Sequence, residues 1–431
     1  MKGIVIFIVY CSLLTNLIAQ THIIEVHSNN RVASLLMSST EYSDWKTNNE
    51  FSNDYIKRTN LFKDIYKKFN DEFDFIFLIL NEDNKPDGLP HGQHIRISNN
   101  ISGIGLSSFN NGNNYGSAGK LKSILHLTKR NYLLWGPSLH ELSHKWANNA
   151  IEVENVAEGT NVVSSSYRPH WGFTGGSTKG QLGGFKQSTL VDKGGGSYSV
   201  GSFGANANGG NSVPFNELEL YLMGMIKISD VSNFDVFTNI TSFTRNGAIY
   251  DFVATTRTTY TPASLETLLG ARVPLYTTSQ KDFKALVVIL TDTPLTTAQW
   301  DEVDDSAEKF SRNSSDGSST LFNFWEATQG LGTIEMANLQ NTLGLDNDLV
   351  LANNIKIYPN PTSKKVTILN KDLNIEEVLL FNSVGQKITS LEFTDAQDGI
   401  SLDLSNHSAG VYFLNFRNNS GLSMYKKIIK N

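Results

Sequence analysis

Apolar residues in the first part of the chain recur at two different spacings. Leu61, Ile65 and Phe69 are four residues apart with charged residues between them, which predicts an amphipathic helix at residues 48–69. A continuous apolar run follows at residues 75–80, which is typical of a strand buried on both faces. The two patterns together predict a helix followed by a buried strand.

The chain up to about residue 350 continues as apolar runs divided by polar loops. Further strands are expected at residues 101–106, 121–127 and 285–290. Further helices are expected after Ser212 with Pro214 in the first turn, at residues 297–311, and from residue 322. Residues 172–211 are rich in Gly, Ser and Asn, which predicts irregular loops with short hairpins.

From residue 355 the pattern changes to short alternating apolar and polar runs separated by turns. This pattern predicts a small all-β sandwich. Its strands are expected at residues 365–369, 377–381, 400–404, 411–417 and 424–429. The predicted division is a large domain at residues 20–345, a linker at residues 346–354 and a β-domain at residues 355–431.

Three short motifs in this last domain suggest its role. They are residues 357–362 (IYPNPT), 382–386 (NSVGQ) and 409–412 (AGVY). In this order they resemble the type A C-terminal sorting domain of the type IX secretion system. The resemblance implies that the type IX machinery is a partner, that the protein crosses the outer membrane, and that it is released or attached to the cell surface. A carbohydrate-binding or adhesive β-module is the alternative.

The length and charge of the chain exclude some classes of function. The 431 residues suit one large domain with a smaller one. The net charge is -6 and the isoelectric point is near 5.9, so no basic surface for nucleic acid or an anionic membrane is expected.

The first 19 residues have the pattern of a secretory signal peptide. Lys2 precedes an apolar run from Ile4 to Leu14, and Ala19 stands before the expected cleavage point. The run is short for a stable membrane span, and an uncleaved anchor is the alternative. Cys11, the one cysteine, lies in this segment. The exported protein would therefore hold a metal through histidines and carboxylates, without thiolates or disulfides.

The central motif for chemistry is HELSH at residues 140–144. Pro137 is expected to open a helix that no Pro or Gly interrupts as far as Val156. On this helix His140 and His144 are four residues apart and share one face, so both can bind one Zn²⁺ ion. Glu141 would take a proton from a zinc-activated water and return it to the leaving amine.

This segment resembles the active-site helix of the zincin metallopeptidases. The resemblance implies an α+β catalytic domain, in which a twisted sheet packs on the active-site helix. The sequence departs from the longer metzincin motif, which would require Gly at Ala147 and His at Ala150. The order of HELSH, HWG and ELYLMG is similar to that of a group of secreted bacterial zincins, but it assigns no substrate.

Three residues are candidates for the third protein ligand. His170 lies in a loop beside a tryptophan, at a distance that lets the chain turn back to the helix. Glu219 falls on the apolar face of a later helix, where a carboxylate is costly unless a charge or metal satisfies it. Alternatively, Glu219 orients one of the two helix histidines. Glu158, expected near the end of the long helix, is the third candidate.

Other polar side chains allow two interpretations. Tyr221 could stabilise the transition state by a hydrogen bond to the oxyanion, or it could be a packed residue at the edge of the core. His91 and His94 could form a second metal site, although solvated loop histidines are commoner. His126, in an apolar strand, is expected to be packed.

The sequence thus predicts a secreted zinc-dependent endopeptidase with Zn²⁺ as cofactor and a protein or peptide as substrate. The alternative is a non-catalytic surface adhesin or glycan-binding protein on the same scaffold. Glu141 argues against the alternative, because a purely structural zinc site does not need it. Residues 20–45 are a candidate pro-segment.

Overall fold

The computed structural model describes residues 22–156, 162–163, 170–205, 207, 209–315, 317–318, 320–339, 355–370, 377–392, 399–417 and 423–431. The predicted signal peptide and linker lie outside these residues. The helices are α1 Ser39–Thr47, α2 Glu50–Asn53, α3 Tyr55–Lys68, α4 Tyr132–Trp135, α5 Ser138–Ala147, α6 Glu217–Met223, α7 Pro262–Leu269, α8 Thr297–Phe310 and α9 Phe324–Ala327.

The strands fall into two groups. Those before residue 340 are β1 Ile23–Val26, β2 Val32–Leu36, β3 Phe75–Leu80, β4 Gly92–Arg96, β5 Ser98–Asn99, β6 Phe109–Asn110, β7 Ser123–Leu127, β8 Asn155–Val156, β9 Val162–Val163, β10 Gly175–Gly176, β11 Gly184–Lys186, β12 Val191–Gly194, β13 Ser197–Gly201, β14 Phe203–Gly204, β15 Phe234–Asn246, β16 Ile249–Tyr260, β17 Asp282–Thr291 and β18 Thr333–Glu335. Those after residue 354 are β19 Ile355–Tyr358, β20 Lys365–Asn370, β21 Glu377–Asn382, β22 Lys387–Glu392, β23 Gly399–Asp403, β24 Gly410–Arg417 and β25 Ser423–Lys430.

A mixed sheet organises the chain before residue 340. Its strand order is β1-β2-β17-β3-β7-β4, and β18 pairs with the first residues of β17. Strands β2, β17, β3 and β7 are parallel, whereas β1 and β4 run antiparallel to their neighbours at the two edges. The strands predicted at residues 75–80, 121–127 and 285–290 are confirmed as β3, β7 and β17.

Successive side chains of a strand point to opposite faces of the sheet. The central strands are apolar at successive positions, so both faces of this sheet are apolar and both are covered. On one face, Phe75, Phe77 and Ile79 pack with buried side chains of α5, α6 and α8. On the other face, Ile76 and Leu78 pack with α1 and α3. Each fully buried side chain of this size contributes about 2 kcal/mol, so burial against the sheet fixes the positions of the helices.

Two helices of the first 160 residues differ from their predicted bounds. The helix predicted at residues 48–69 is divided into α2 and α3, because the Asp54 side chain accepts a hydrogen bond from the Lys57 backbone and caps α3. The helix expected to reach Val156 ends at Ala147.

Two further predictions also need correction. Helix α6 begins at Glu217, since Asn216 caps its N-terminus, and Pro214 therefore precedes the helix instead of lying in its first turn. The strand predicted at residues 101–106 is irregular, with one isolated bridge between Ser102 and Val273.

A second sheet, in the order β12-β13-β16-β15, was not predicted in full. Short strands within residues 172–211 were expected, but the long hairpin of β15 and β16 was missed. These strands have 13 and 12 residues, and most of their outer halves are exposed on both faces. Neither face is therefore consistently apolar, and the period of two that marks a half-buried strand is absent.

The residues after 354 form an all-β region, as predicted. Its antiparallel sheets have the orders β19-β20-β23 and β22-β21-β24-β25 in the described part of the chain. Val366, Leu380, Leu414 and Phe416 are completely buried in its core. The five predicted strands are confirmed, and β19 and β22 complete the two sheets.

The first described residues are part of the large domain. Strands β1 and β2 belong to the main sheet, and Trp45 of α1 is 1% exposed. Loss of residues 22–45 would expose the edge of β17 and one face of the sheet, and the candidate pro-segment stays a prediction.

His22, just before β1, is held between two carboxylates. Its Nε2 lies 2.8 Å from Glu41 Oε1 on α1, and its Nδ1 lies 2.8 Å from Asp64 Oδ2 on α3. Burial alone would lower the pKa of His22, but the hydrogen bonds to Asp64 and Glu41 raise it to about 9. The protonated ring therefore joins the first strand to both helices.

We expect this interaction to stabilise the fold in a pH-dependent manner. The pKa in the folded state is above the ordinary 6.5, so the contribution is complete below pH 6.5 and is lost as the pH rises through about 9. His22→Ala should lower the free energy of unfolding by about 2 kcal/mol at pH 6 and have little effect at pH 10. Urea denaturation at both pH values measures this, with His407→Ala as control. An equal loss at both pH values would contradict the prediction.

Candidate metal centre

Helix α5 carries the HELSH motif, and contacts along its length fix its position. Leu139, Leu142 and Trp146 are at most 2% exposed and face the core of the sheet, as predicted. At the N-terminus, the buried Asn211 carboxamide accepts a hydrogen bond from Leu139 N at 3.2 Å and donates to two carbonyls of α4. The remaining face of α5 is turned toward a cavity.

Three histidines converge at this cavity. Nitrogen atoms of His140, His144 and His170 lie within 4.8 Å of one another. The two Nε2 atoms on α5 are 3.0 Å apart, close to the spacing of about 3.3 Å between two nitrogens around a tetrahedral zinc ion. The ring centroids are 4.5, 5.0 and 5.5 Å apart, and about 5 Å is expected for such a site. The three side chains therefore fit one divalent cation.

Hydrogen bonds at the far side of two rings set their tautomers. His140 Nδ1 lies 2.8 Å from the Gln181 carbonyl, and His144 Nδ1 lies 2.7 Å from Asn148 Oδ1. Each acceptor requires an N–H at Nδ1, so the lone pair of each ring is at Nε2, toward the other histidines. This is the arrangement that a metal-binding imidazole needs.

Burial keeps these rings neutral. It lowers the pKa of His140 to about 4, and it also lowers the pKa of His144 and His170. Neighbouring histidines lower the pKa of His140 and His144 further. Neutral imidazole is the form that binds a metal ion, so the site is in its ligand state at neutral pH.

Trp171 positions His170. Its side chain is 1% exposed, its indole Nε1 donates to the Ala147 carbonyl at 3.2 Å, and its backbone N–H donates to Leu182 O at 2.8 Å. The first bond uses a carbonyl at the end of α5 that has no partner inside the helix. It thereby ties the loop with His170 to the same helix that carries the other two histidines.

Glu219, the alternative third ligand, lies outside this cluster. Its carboxylate accepts hydrogen bonds from Leu182 N at 2.8 Å and from Asn216 N at 2.9 Å. Burial raises the pKa of Glu219 to about 7, against these backbone hydrogen bonds. A buried carboxylate needs partners, and those of Glu219 are backbone N–H groups. Glu219 is the third residue of α6, and it forms a capping box with Asn216.

The alternative role of Glu219, the orientation of a histidine, has a physical route. Leu182 follows Gln181, whose carbonyl accepts the hydrogen bond from His140. A side chain at Gly180 would lie 2.5 Å from the Glu219 carboxylate, so only glycine permits this close approach. Glu219 therefore holds the loop that orients His140, and its effect on metal binding stays a prediction.

Two other candidates are not at the cavity. Glu158 lies outside the described residues. Tyr221 is 3% exposed and packs in the core, near Arg272 and Glu266, and it does not line the cavity. This placement favours the packed role for Tyr221 and gives no support to the oxyanion role.

Glu141 lines the cavity together with the three histidines. Burial raises the pKa of Glu141 to about 8. A cation held at the histidines would lower this pKa again, because the opposite charge favours the carboxylate. Gly92 of β4 leaves the room for this side chain, since a Cβ there would lie 2.5 Å from Glu141 Oε1.

The cavity has a volume of about 590 Å³ and is also lined by His91 and His94. His91 is exposed, and its Nδ1 lies 2.8 Å from the Tyr132 hydroxyl. Among the described residues, His91 and His94 are not part of a metal-binding group, so the second metal site is not supported. His126 is completely buried between Phe51 and Trp45, which confirms that it is a packed residue.

Four residues of the site were missed in the sequence, and one of them is Gln181. Asn148 lies four positions after His144 on the same side of the chain, so its spacing could have suggested a partner for that histidine. Asn211 and Gly92 are distant in sequence from α5. Their roles depend on tertiary contacts that no local pattern records.

The C-terminal region belongs to a known type of domain. Residues 356–431 match the family model of the secretion system C-terminal sorting domain. This match supports the predicted type IX sorting domain and its interaction with the type IX secretion machinery. The protein is therefore exported and is secreted or attached to the cell surface. Over the described residues, the helices are too short or too polar to cross a membrane.

The chain is also similar to an endo-acting ulvan lyase from Formosa agariphila, with 29% identity over 91 residues. The similar stretch is 20% of this chain and 17% of the lyase. The chain thus matches well under two thirds of that protein's length, and the similarity assigns neither an activity nor a substrate to the cavity.

We predict that His170 is needed for metal binding. His170→Ala should reduce the affinity for Zn²⁺ at least 100-fold, because one of three nitrogen donors is lost. His91→Ala removes an exposed histidine beside the same cavity and should leave the affinity unchanged. Competition with a chromophoric zinc chelator measures both variants. Equal affinities for wild type and His170→Ala would contradict the prediction.

We also predict that Glu219 acts on the metal site through the Gln181 loop. Glu219→Gln leaves one acceptor oxygen for two backbone N–H groups, those of Leu182 and Asn216, so the contact that holds the loop is weakened and zinc affinity should fall about 10-fold. Glu152→Gln makes the same change at an exposed position and serves as control. Zinc titration of the purified variants tests this, and an unchanged affinity in Glu219→Gln would exclude the positioning role.

Proposed function

We propose that this protein is a secreted zinc-dependent endopeptidase of the zincin type. The observation that carries the proposal is the convergence of His140, His144 and His170 around one point, with Glu141 in the same cavity. Three neutral imidazoles with a neighbouring carboxylate are the donor set of a catalytic zinc site that keeps one position open.

The residues of the cavity have separate roles in the proposed reaction. A Zn²⁺ ion bound by the three histidines would polarise the scissile carbonyl and lower the pKa of water to about 7. Glu141 accepts a proton from the attacking water and delivers it to the nitrogen of the leaving amine. The hydrogen bonds from His140 to Gln181 and from His144 to Asn148 hold the rings in place throughout.

An extended peptide has a suitable docking edge beside the cavity. Strand β4 is at the end of the sheet order and pairs only with β7 in the described part of the chain. Its first residue, Gly92, touches the Glu141 side chain. A substrate strand that adds to this edge would present its carbonyls to the histidines, which favours cleavage within a chain over recognition of its end.

Secretion fits this activity, because an exported hydrolase acts on macromolecules outside the cell. A non-catalytic adhesin or glycan-binding protein is the competing proposal. An adhesin or glycan-binding protein needs neither the buried Glu141 carboxylate nor an open coordination position on a metal. The competing proposal therefore does not explain these two features. Binding of mucin and algal polysaccharides, in the presence and absence of a chelator, separates the two proposals.

We expect Glu141→Gln to abolish hydrolysis without loss of the metal. The amide has nearly the same shape but cannot accept the proton of water, so kcat should fall at least 1000-fold. A fluorogenic peptide library and casein provide the substrates, and metal analysis confirms zinc content. Glu152→Gln, an exposed change of the same kind, should retain wild-type rates.

Removal of zinc by a chelator should abolish the wild-type activity, and added Zn²⁺ should restore it. Full activity of zinc-loaded Glu141→Gln would overturn the mechanism. A zinc-loaded wild type that cleaves no peptide but binds glycans would favour the competing proposal.

A further inference from the structure

His94 lies on β4, with its side chain on the face that packs against α5. Residues 92 and 96 lie on this same face, because side-chain positions alternate along a strand. Gly92 touches Glu141, and Arg96 donates a hydrogen bond just beyond the C-terminus of α5. His94 stands between these contacts, with its ring centroid 6.0 Å from that of His144.

The position of His94 is outside the ring of metal donors. Centroids of the three converging histidines are at most 5.5 Å apart, and the nitrogens of His94 are not within the 4.8 Å limit that unites the other three. A tetrahedral site would need a centroid separation of about 5 Å from every other ring. His94 thus lines the cavity but lies outside the group of three candidate metal ligands.

The buried Nε2 of His94 has no hydrogen-bond partner within the described part of the chain. His126, on the neighbouring strand, shows the usual solution: its Nε2 accepts from Trp45 Nε1, and its Nδ1 lies 3.1 Å from Gln93 Oε1. An unpaired buried ring nitrogen costs free energy, and native structures retain few of them. The partner of His94 is therefore to be sought in what enters the cavity.

We propose that His94 donates a hydrogen bond from Nε2 to the carbonyl oxygen of the scissile peptide bond, as negative charge develops there. This inference rests on the proposed peptidase function. It assigns to His94 the oxyanion role for which the placement of Tyr221 in the core gives no support. His94 is suited to it because β4, the edge that would pair with the substrate, carries the ring directly beside the histidine cluster.

The reaction balances without a further reactant. The water oxygen forms a bond to the carbonyl carbon, the π electrons of the carbonyl move to its oxygen, and Glu141 takes the proton of the water. When the C–N bond breaks, that proton goes to the nitrogen, which gives a carboxylic acid and an amine. The second proton of the water then passes from the acid to the amine, and a carboxylate and an ammonium group leave. His94 donates its hydrogen bond to the oxygen in the tetrahedral state and transfers no proton.

Two substitutions in the zinc-loaded full chain test the proposal. His94→Phe keeps a ring of similar size without a donor, and His94→Gln restores an N–H donor. We expect kcat to fall about 100-fold or more in the Phe variant, with KM nearly unchanged and at least a tenfold recovery in the Gln variant. The affinity for a phosphinic peptide, whose tetrahedral phosphorus resembles the transition state, should fall by the same factor as kcat/KM.

Zinc affinity, the absorption spectrum of the Co²⁺-substituted protein and the melting temperature should be unchanged in both variants. His407→Phe makes the same substitution in the C-terminal region and controls for the change in composition. Unchanged kcat in His94→Phe, beside an active wild type, overturns the role of His94 and leaves the peptidase proposal intact.

Two other results also overturn the role of His94. A lower zinc affinity or an altered Co²⁺ spectrum in His94→Phe would make His94 a metal ligand. A lower melting temperature that accounts for the lost activity would make it a packing residue. If the zinc-loaded wild type hydrolyses no peptide, the peptidase function itself fails, and the role of His94 fails with it.

Discussion

The side-by-side packing of β4 and α5 is the contact on which the cavity depends. Pairing with β7 fixes the register of β4, with Gly92 opposite Leu127 and His94 opposite Leu125. A register shift of one residue would turn every side chain of this strand to the other face. Glu141 would then lose its space, and Gln93 would replace His94 beside His144. The chemistry of the cavity is thus tied to the hydrogen bonds of a sheet edge.

Charge balance couples the groups inside the cavity. Three neutral imidazoles direct lone pairs toward one point, and no lysine or arginine of the described part of the chain lines the cavity with them. Without a cation, Glu141 keeps its proton more readily, because burial disfavours its carboxylate. A cation at the histidines would relieve the lone-pair repulsion and favour the ionised form of Glu141 at the same time. In the proposed mechanism, metal binding would therefore also prepare the base.

The features that the sequence predicts are those set by local spacing. Four residues on a helix place His140 and His144 together, and unbroken apolar runs identify strands such as β3. The choice between His170 and Glu219 was open, because it depended on where α6 begins: Asn216 caps the helix and directs Glu219 back to backbone N–H groups. The Gln181 carbonyl could not be foreseen, since every residue has one, and the exposed hairpin β15–β16 has no consistent apolar face.

The central strand β17 comes late in the sequence, and this position affects when the main sheet can fold. β17 pairs with β2 on one side and β3 on the other, although residues 37–74 alone separate those two strands in sequence. The strand that joins β2 to β3 is therefore missing until residue 291 has been synthesised, and the centre of the sheet cannot form before then. The histidines of α5 are translated long before this, yet the sheet that supports them lacks its central strand until β17 has been made. The order of synthesis thus keeps the nascent chain without a finished cavity.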